Sequence, residues 1–325
     1  MAAGFKQATV NAASVPATQT SFPSYVDLSR LGITTLAEAQ SVRVYADLAK
    51  TTEWARDIVT VAQMHVKVPS LTSTVTIYVD YDGVRADYVV TDTFGRNAVW
   101  SAYDGVFHME DASGNITDST GKTALTVTGS PTFAVAAKIV NGITYNGSSQ
   151  YHSKSTGAAN PTVPVSIQAW FTATDVTAGP DSIAYMGVSG SEHGLLVNSS
   201  QLWALSQDSG NAQAVSGTIS SGTRYMGHGV FSSSTLRTVY LNGASVGTNT
   251  TSKNPSSGAG LDIGSRFSTV GQDFQGTIDE VRFIKSALSA NWIITEYNNQ
   301  NAEATFWGTW STVGGANTTN FFYMD

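Results

Sequence analysis

The sequence has no cysteine, few charged residues and no long hydrophobic run, and each shortage excludes a class of protein. Without cysteine there is neither a disulfide framework nor a thiolate metal site. No stretch approaches the roughly 18 consecutive apolar residues of a membrane helix, so membrane insertion is not expected. Charged residues make up 13% of the chain, against about 25% in an average globular protein, while 41% are hydrophobic. That balance excludes disorder and favours a folded protein with neutral polar surfaces.

The formal charge of −7 provides no basic surface for DNA or RNA, so nucleic acid is not a predicted partner. The chain starts with Met-Ala-Ala-Gly-Phe-Lys-Gln, which lacks the basic run and apolar segment of a secretion signal. We therefore expect a protein that is made in the cytoplasm and is not exported by the classical route.

Short segments with alternating apolar and polar residues occur along the first 96 residues, and each is typical of a β-strand. These segments are residues 21–28, 42–48, 64–69 and 74–81. Residues 36–40 favour a turn of helix instead. Because the chain has 325 residues, we expect two domains of about 100–200 residues each.

Residues 276–300 predict a strand followed by a short helix. The even-numbered residues from Ile278 to Ile284 are predicted to face one side of the strand, and the odd-numbered residues from Thr277 to Phe283 the other. Either Ser286 or Ser289 is placed to cap the helix.

This stretch resembles the end of laminin-G-like domains of the concanavalin A-like lectin/glucanase superfamily, where a Gly-x-(Ile/Leu)-Asp-Glu-Val-Arg strand precedes a Ser-Ala-x-x-Ile turn. Four further segments resemble strands of that family in the same order, and they are residues 146–151, 165–171, 224–231 and 239–246. The resemblance implies that Trp170 lies in the core and that His228 is a hydrogen-bonded structural histidine.

The first domain resembles a domain of unknown function that precedes laminin-G-like domains in phage and bacterial surface proteins. The matching segments are residues 22–28, 42–45, 66–71 and 77–83. We predict an all-β protein with a small N-terminal β-sandwich as anchoring domain over residues 1–96, a concanavalin A-like jelly roll over 97–303 and an aromatic C-terminal tail over 304–325. At the junction, Phe107 and Met109 are expected to face the core and His108 the opposite side.

The superfamily includes glycoside hydrolases in which two carboxylates, spaced two residues apart, reach one face of a strand. In this chain Asp279 and Glu280 are adjacent, so alternation predicts that they point to opposite faces and form no such pair. Glu192 and His193 are expected in a Ser/Gly-rich loop without a third group to orient them. We therefore expect no enzymatic activity and no catalytic residue.

Some laminin-G-like domains bind Ca²⁺, so the resemblance implies candidate oxygen ligands in the second domain. The candidates are Asp104, Asp111 and Asp262, with Glu110, Asp118 and Asp273 as further members of the set. None has the spacing of a dedicated calcium loop, and a solvated or turn-capping carboxylate is the alternative for each. The histidines lack zinc-site spacing, and we expect no required cofactor.

Sugar-binding sites use aromatic rings as stacking platforms beside polar loop groups. Trp203, Tyr185 and Tyr151 are the candidate platforms for a host surface glycan. Every sandwich of this size contains a few such rings, so ordinary packing is the alternative.

The tail is rich in aromatic residues, each of which can bury about 150–250 Å². They are Phe306, Trp307, Trp310, Phe321, Phe322 and Tyr323. Either the tail returns as a strand that packs against the first domain, or it is a docking arm for a neighbouring subunit.

The combination of a lectin-like domain with no export signal predicts a non-enzymatic bacteriophage virion protein, serving in tail-associated adhesion or capsid decoration. Other virion proteins are its expected partners, and it is expected as a homo-oligomer or in many copies on a particle. The alternative is a free or cell-surface bacterial carbohydrate-binding module.

Overall fold

The computed structural model describes residues 3–177, 179–267 and 272–314, which form two β-sandwich domains. The prediction of an all-β protein is confirmed. The elements up to the junction are β1 (Gly4–Thr9), β2 (Gln19–Asp27), α1 (Leu36–Gln40), β3 (Arg43–Tyr45), β4 (Glu53–Trp54), β5 (Arg56–Ile58), β6 (Gln63–Leu71), β7 (Thr76–Tyr81) and α2 (Arg96–Val99). No helix of the described residues is both long and apolar enough to cross a membrane.

The second domain contains most of the strands. They are β8 (Tyr103–Phe107), β9 (Thr126–Thr128), β10 (Thr132–Ala136), β11 (Asn141–Asn146), β12 (Tyr151–Lys154), β13 (Val165–Ala173), β14 (Asp181–Val188), β15 (Ser191–Asn198), β16 (Gln201–Asp208), β17 (Asn211–Thr218), β18 (Arg224–Ser233), β19 (Leu236–Leu241), β20 (Ala244–Asn249), β21 (Gly260–Ile263) and β22 (Gln275–Ile284). The chain then continues through α3 (Ala290–Asn301), α4 (Glu303–Trp307) and β23 (Ser311–Thr312).

The first domain packs a five-stranded sheet, in the order β23-β1-β7-β3-β4, on a three-stranded sheet, in the order β2-β6-β5. The predicted turn of helix is α1, which begins with a capping box formed by Thr35 and Glu38. Pro23 lies inside β2 rather than at its start. A proline is tolerated there because β2 is an edge strand.

The second domain packs an eight-stranded sheet on a seven-stranded sheet. The first has the order β10-β11-β22-β13-β18-β19-β20, with β8 also paired to β22, and the second has the order β17-β16-β15-β14-β21-β12-β9. Apolar side chains from both sheets fill the space between them. Phe107 and Met109 belong to this core and His108 does not, as predicted.

The C-terminal tail completes the first domain. Phe306 and Trp307 are fully buried in its core, and the Trp307 indole donates to the carbonyl of Tyr25 at 3.0 Å. Strand β23 pairs with β1. The described part of residues 304–325 is therefore a piece of the first sandwich rather than a separate segment.

This burial decides between the two interpretations of the tail for the residues described. Phe306 and Trp307 are core residues and Trp310 packs against them half-buried, so the returning strand is observed and these rings form no free docking arm. Phe321, Phe322 and Tyr323, predicted for the same role, lie outside the described residues.

Helix α3 lies between the two domains. Ser289 rather than Ser286 caps it, because the Ser289 hydroxyl accepts from the Trp292 amide at 3.1 Å. Toward the first domain, the Asn299 amide bonds to both the N–H and the carbonyl of Tyr25, at 2.6 and 3.0 Å.

Candidate functional site

Strand β22 contains a β-bulge at Glu280. Trp170 of β13 pairs with Asp279 and Gln168 pairs with Arg282, so one residue of β13 faces two of β22. Glu280 adopts a φ of 51°, in the left-handed region. An inserted residue shifts the alternation of side chains beyond it.

Because of this bulge, Ile278, Val281 and Phe283 all face the jelly-roll core, while Glu280 and Arg282 leave on the other side of the sheet. The predicted alternation over residues 277–284 is therefore wrong. The side chains of Asp279 and Glu280 both point away from the core, but they bind different partners. Asp279 accepts from the amides of residues 138 and 139, whereas Glu280 accepts from Arg282.

Around Glu280 a chain of buried ionic hydrogen bonds crosses from one domain to the other. The Glu280 carboxylate lies 2.6 Å from Nδ1 of His108, and Nε2 of His108 lies 3.3 Å from Asp57 of the first domain. The Trp100 indole donates to the same Asp57 oxygen at 2.7 Å, and the Gln63 amide donates to Glu280 at 2.5 Å.

Arg282 extends this network to helix α3. Its guanidinium donates to Glu280 at 2.7 Å and to Glu296 at 2.6 Å. The second oxygen of Glu296 lies 3.0 Å from Nε2 of His228. His228 is thus the hydrogen-bonded structural histidine that the family resemblance implies. We call the seven residues Asp57, Gln63, His108, His228, Glu280, Arg282 and Glu296 the interdomain network.

The charges of the network follow from its contacts. Burial by itself would lower the pKa of His108, but Glu280 and Asp57 outweigh it and raise that pKa to about 9. Burial also opposes ionisation of Glu280, yet His108 and Arg282 hold its pKa well below the ordinary value. Both nitrogens of His108 face carboxylates, so its ring is a doubly donating imidazolium.

His65 lies beside this ring in the opposite state. The two imidazoles stack with centroids 4.7 Å apart at an angle of 17°. Burial lowers the pKa of His65 to about 4, so that ring is neutral around pH 7. One charged and one neutral ring stack without repulsion between like charges.

His65, His108 and Glu280 also bring three possible metal ligand atoms within 4.8 Å of one another. Their geometry does not fit a metal ion. An imidazole donates to a metal in the plane of its ring, and two nearly parallel stacked rings cannot both aim at one point. The 2.6 Å approach of His108 to Glu280 is already a hydrogen bond. The cluster is an ion-pair network.

Residues 146–294 match the family model described as the concanavalin A-like lectin/glucanases superfamily. This segment is a concanavalin A-like lectin/glucanase domain. The concanavalin A-like domain recognised from the sequence motifs is therefore confirmed, while the phage origin and the resemblance of the first domain stay predictions. Nothing among curated proteins matches the chain.

A solved structure of similar fold agrees with that assignment. The ligand-binding domain of botulinum neurotoxin serotype D, in complex with N-acetylneuraminic acid, matches with a TM-score of 0.51 and 12% identity over 61% of this chain and 51% of that one. Domain 4 of AbnA, an extracellular arabinanase from Geobacillus stearothermophilus in complex with arabinotriose, matches with a TM-score of 0.48 and 18% identity. That match covers 59% of this chain and 96% of the AbnA domain. The chain spans about half of the neurotoxin domain.

Within the concanavalin A-like domain, Trp170 is buried as predicted, but on the other face of its strand. Its indole donates to Gln300 of α3 at 2.6 Å, and its ring stacks on Tyr297 at 5.9 Å. Trp170 therefore fixes α3 to the sheet, and its neighbours Ala169 and Phe171 face the core between the two sheets instead.

The predicted metal ligands do not converge. Across residues 3–177, 179–267 and 272–314, the one group of three or more such side chains with ligand atoms within 4.8 Å is His65, His108 and Glu280. Asp111 accepts from Thr117, and Asp104 lies 3.6 Å from Lys122.

The other carboxylates of that set also have partners within the protein. Asp118 accepts from the Thr120 amide, Asp262 from the Phe267 amide, Asp273 from the Ser149 amide and Glu110 from the Asn141 amide. Burial raises the pKa of Asp262 to about 7. The local contacts of Asp118 and Asp262 correspond to the turn-capping alternative, whereas Glu110 and Asp273 bind segments far away in the sequence.

The three candidate sugar platforms lie on the seven-stranded sheet but do not form one site. Tyr185 is fully buried beneath Phe267, with the Arg266 guanidinium 5.6 Å from its ring. Trp203 and Tyr151 are half-buried on β16 and β12. These strands are four positions apart in the sheet, or about 19 Å at the usual strand spacing.

Glu192 and His193 lie in strand β15, not in the predicted loop. As neighbours on a strand they face opposite sides. Glu192 forms an ion pair with Arg266, and His193 lies 2.9 Å from the Ser206 hydroxyl.

Proposed function

We propose that the protein is a non-enzymatic surface component of a bacteriophage virion that binds host glycans through its concanavalin A-like domain. The observation that carries the proposal is the carbohydrate-binding, lectin-like fold of residues 146–294. The botulinum neurotoxin domain with the same fold binds N-acetylneuraminic acid. The resemblance of the first domain to a unit of phage and bacterial surface proteins supports the virion role.

The interdomain network supports the same proposal. A binding domain mounted on a particle works best when its orientation to the anchoring domain is fixed. Buried charge pairs satisfy this need because displacing either partner leaves an uncompensated charge. Here the network joins Asp57 of the first domain to Glu280 and Glu296 of the second through His108 and Arg282.

A non-enzymatic role is consistent with the state of the buried carboxylates. Asp57, Glu280 and Glu296 are each nearly or fully buried and bonded to protein donors, so none is placed to protonate or attack a substrate. Incubation with candidate polysaccharides is expected to release no reducing ends. Release that Glu280→Gln abolishes would overturn this part of the proposal.

The virion role is tested by gold labelling of purified particles with an antibody against residues 99–300, viewed by electron microscopy. Dense label over the head identifies capsid decoration, and label at the tail or its tip identifies adhesion. Absence of label from every particle would contradict the virion role and favour the free carbohydrate-binding module.

A further inference from the structure

A groove of about 390 Å³ lies where the two domains meet. The first domain supplies residues 18–21 and Lys67, and the second supplies Tyr103, residues 286–289 and Trp292 of α3. Small-molecule sites commonly have volumes of about 300–1,000 Å³ and favour such domain interfaces. The groove is therefore large enough for a small ligand or for the end of a longer one.

Lys67 reaches the groove because of its position on β6. Val66 and Val68 face the core of the first domain, so alternation along the strand directs Lys67 to the opposite side. His65 leaves the strand on that same side, where its ring stacks on His108 of the second domain. Lys67 is thus the next residue in the row of β6 side chains that faces the second domain.

The positive charge of Lys67 has no counter-ion. Its ammonium donates to the Ala98 carbonyl and the Ser101 hydroxyl, both at 3.0 Å, and both acceptors are neutral. Burial alone lowers the pKa of Lys67, and no carboxylate of the described residues acts on that pKa in the opposite direction. Among the lining residues of the groove, all of which the structure describes, none is acidic. An ammonium has three donors, so one remains for the anionic group of a ligand.

The rest of the lining is neutral and has two kinds of surface. Tyr103, Ile284 and Leu288 belong to one apolar cluster, against which Trp292 packs. Exposed hydroxyl-bearing residues lie on both walls, and they are Thr18, Thr20, Ser21, Ser286 and Ser289. A sugar that carries a carboxylate combines apolar C–H faces, hydroxyl groups and one negative charge, so each of its parts has a counterpart in the groove. A fatty acid would leave the hydroxyl groups of the walls without a partner.

Direct contacts between the domains hold the two walls of the groove in place. Phe22 of β2 follows the groove residues of the first domain and packs on Trp292 of α3, with ring centroids 5.0 Å apart. On the same helix, the side-chain amide of Asn299 binds both the N–H and the carbonyl of Tyr25. These contacts join β2, on one wall, to α3, on the other. A site that is formed before its ligand arrives loses less ordering entropy on binding.

We propose that this interdomain groove binds an acidic saccharide, with the Lys67 ammonium paired to the carboxylate of the sugar. The inference rests on the proposed glycan-binding function, names the class of glycan and adds the first domain to the binding site. A hydrogen bond between an ammonium and a carboxylate is stronger than one between neutral groups, so the charge of Lys67 favours the acidic sugar over a neutral one. Because Lys67 is only half-buried, the affinity should fall as the salt concentration rises.

Two pairs of variants of the full-length protein test the charge of the groove. Lys67→Met removes the ammonium and keeps an unbranched side chain, and Lys154→Met removes the same charge from an exposed position on β12. Ala287→Glu adds a negative charge at an exposed position of the groove, and Ala287→Gln adds a neutral side chain of similar size there. After thermal unfolding has shown that the variants fold, each protein is titrated by calorimetry with a sialylated hexasaccharide, a uronic acid hexasaccharide and a neutral hexasaccharide.

We expect the wild-type protein to bind an acidic hexasaccharide at least about tenfold more tightly than the neutral one. Lys67→Met should weaken that binding by at least about tenfold, and Lys154→Met should leave it unchanged. Ala287→Glu should bind the acidic sugar at least about tenfold more weakly than Ala287→Gln. Equal affinity for acidic and neutral sugars, or binding that Lys67→Met and Ala287→Glu do not weaken, would overturn the groove while leaving glycan binding intact. Failure of the wild-type protein to bind any glycan would contradict the proposed function itself.

Discussion

The C-terminal part of the chain joins the first domain through two contacts of opposite chemistry. One is apolar, with Phe306 and Trp307 fully buried in the first domain's core. The other is charged, and it runs from Glu296 and Arg282 through Glu280 and His108 to Asp57. Apolar burial stabilises without a strict geometry, whereas buried charges tolerate only the arrangement in which each has its partner. The first contact contributes cohesion and the second fixes orientation.

The largest effect is expected from removing the apolar contact. Truncation after Ala304 deletes both buried rings, and losing each large aromatic side chain from a core costs about 3–5 kcal/mol. Whole domains have about 5–15 kcal/mol of stability, so we expect the first domain to unfold. Truncation after Gly314, which keeps every described residue, is the matched control. Circular dichroism and limited proteolysis measure the outcome, and a truncated first domain that resists protease would contradict the assignment.

Breaking the charged contact should cost less than the truncation. Arg282→Ala leaves Glu280 and Glu296 buried without their shared cation, and such a loss costs about 3–5 kcal/mol. Urea unfolding measures the change in free energy. An exposed ion pair contributes about 0–1 kcal/mol, so a loss in that range would show that water reaches the network.

The two contacts also differ in their response to pH, since only the charged one titrates. The pKa of His108 is raised from 6.5 to about 9 on folding, so its contribution is fully present below pH 6.5 and is lost as pH rises through 9. Replacement by glutamine in His108→Gln removes this dependence. The difference in unfolding free energy between wild type and variant should therefore shrink between pH 6.5 and 9. A constant difference would mean that His108 is not charged in the folded protein.

The smallest effect concerns α3, which touches both contacts. Ser289→Ala removes the N-cap of this helix and should lower the unfolding free energy by about 1 kcal/mol. Ser286→Ala, at the other predicted cap position, should change it far less. Equal losses for the two variants would argue against the observed cap.

Local patterns predicted most elements of the fold. The strand before Asp82, the helical turn at residues 36–40 and the opposite orientations of Phe107 and His108 follow from short-range alternation and capping, and the structure agrees with them. The prediction failed at Glu280 because one bulged residue reverses the alternation after it. The residues of the strand give no signal that predicts this β-bulge.

Local sequence patterns could not predict the interdomain network, and the reason is different. Its hydrogen bonds join residues far apart in sequence, since the residue numbers of His108 and Glu280 differ by 172 and those of Gln63 and Glu280 by 217. The available signal was the set of charged residues in otherwise apolar strands, since a charge that is predicted to be buried requires a partner. That rule predicts that partners exist and cannot say which domain supplies them.

The pairing of β1 with β23 has a consequence for the order of synthesis. A ribosome delivers residues 5–81 first, but the sheet and core they belong to lack β23, Phe306 and Trp307 until nearly all of the chain has been made. The concanavalin A-like domain has every strand available before that point. The first domain therefore completes its folding last. The segment that follows the second domain supplies β23, Phe306 and Trp307 to it.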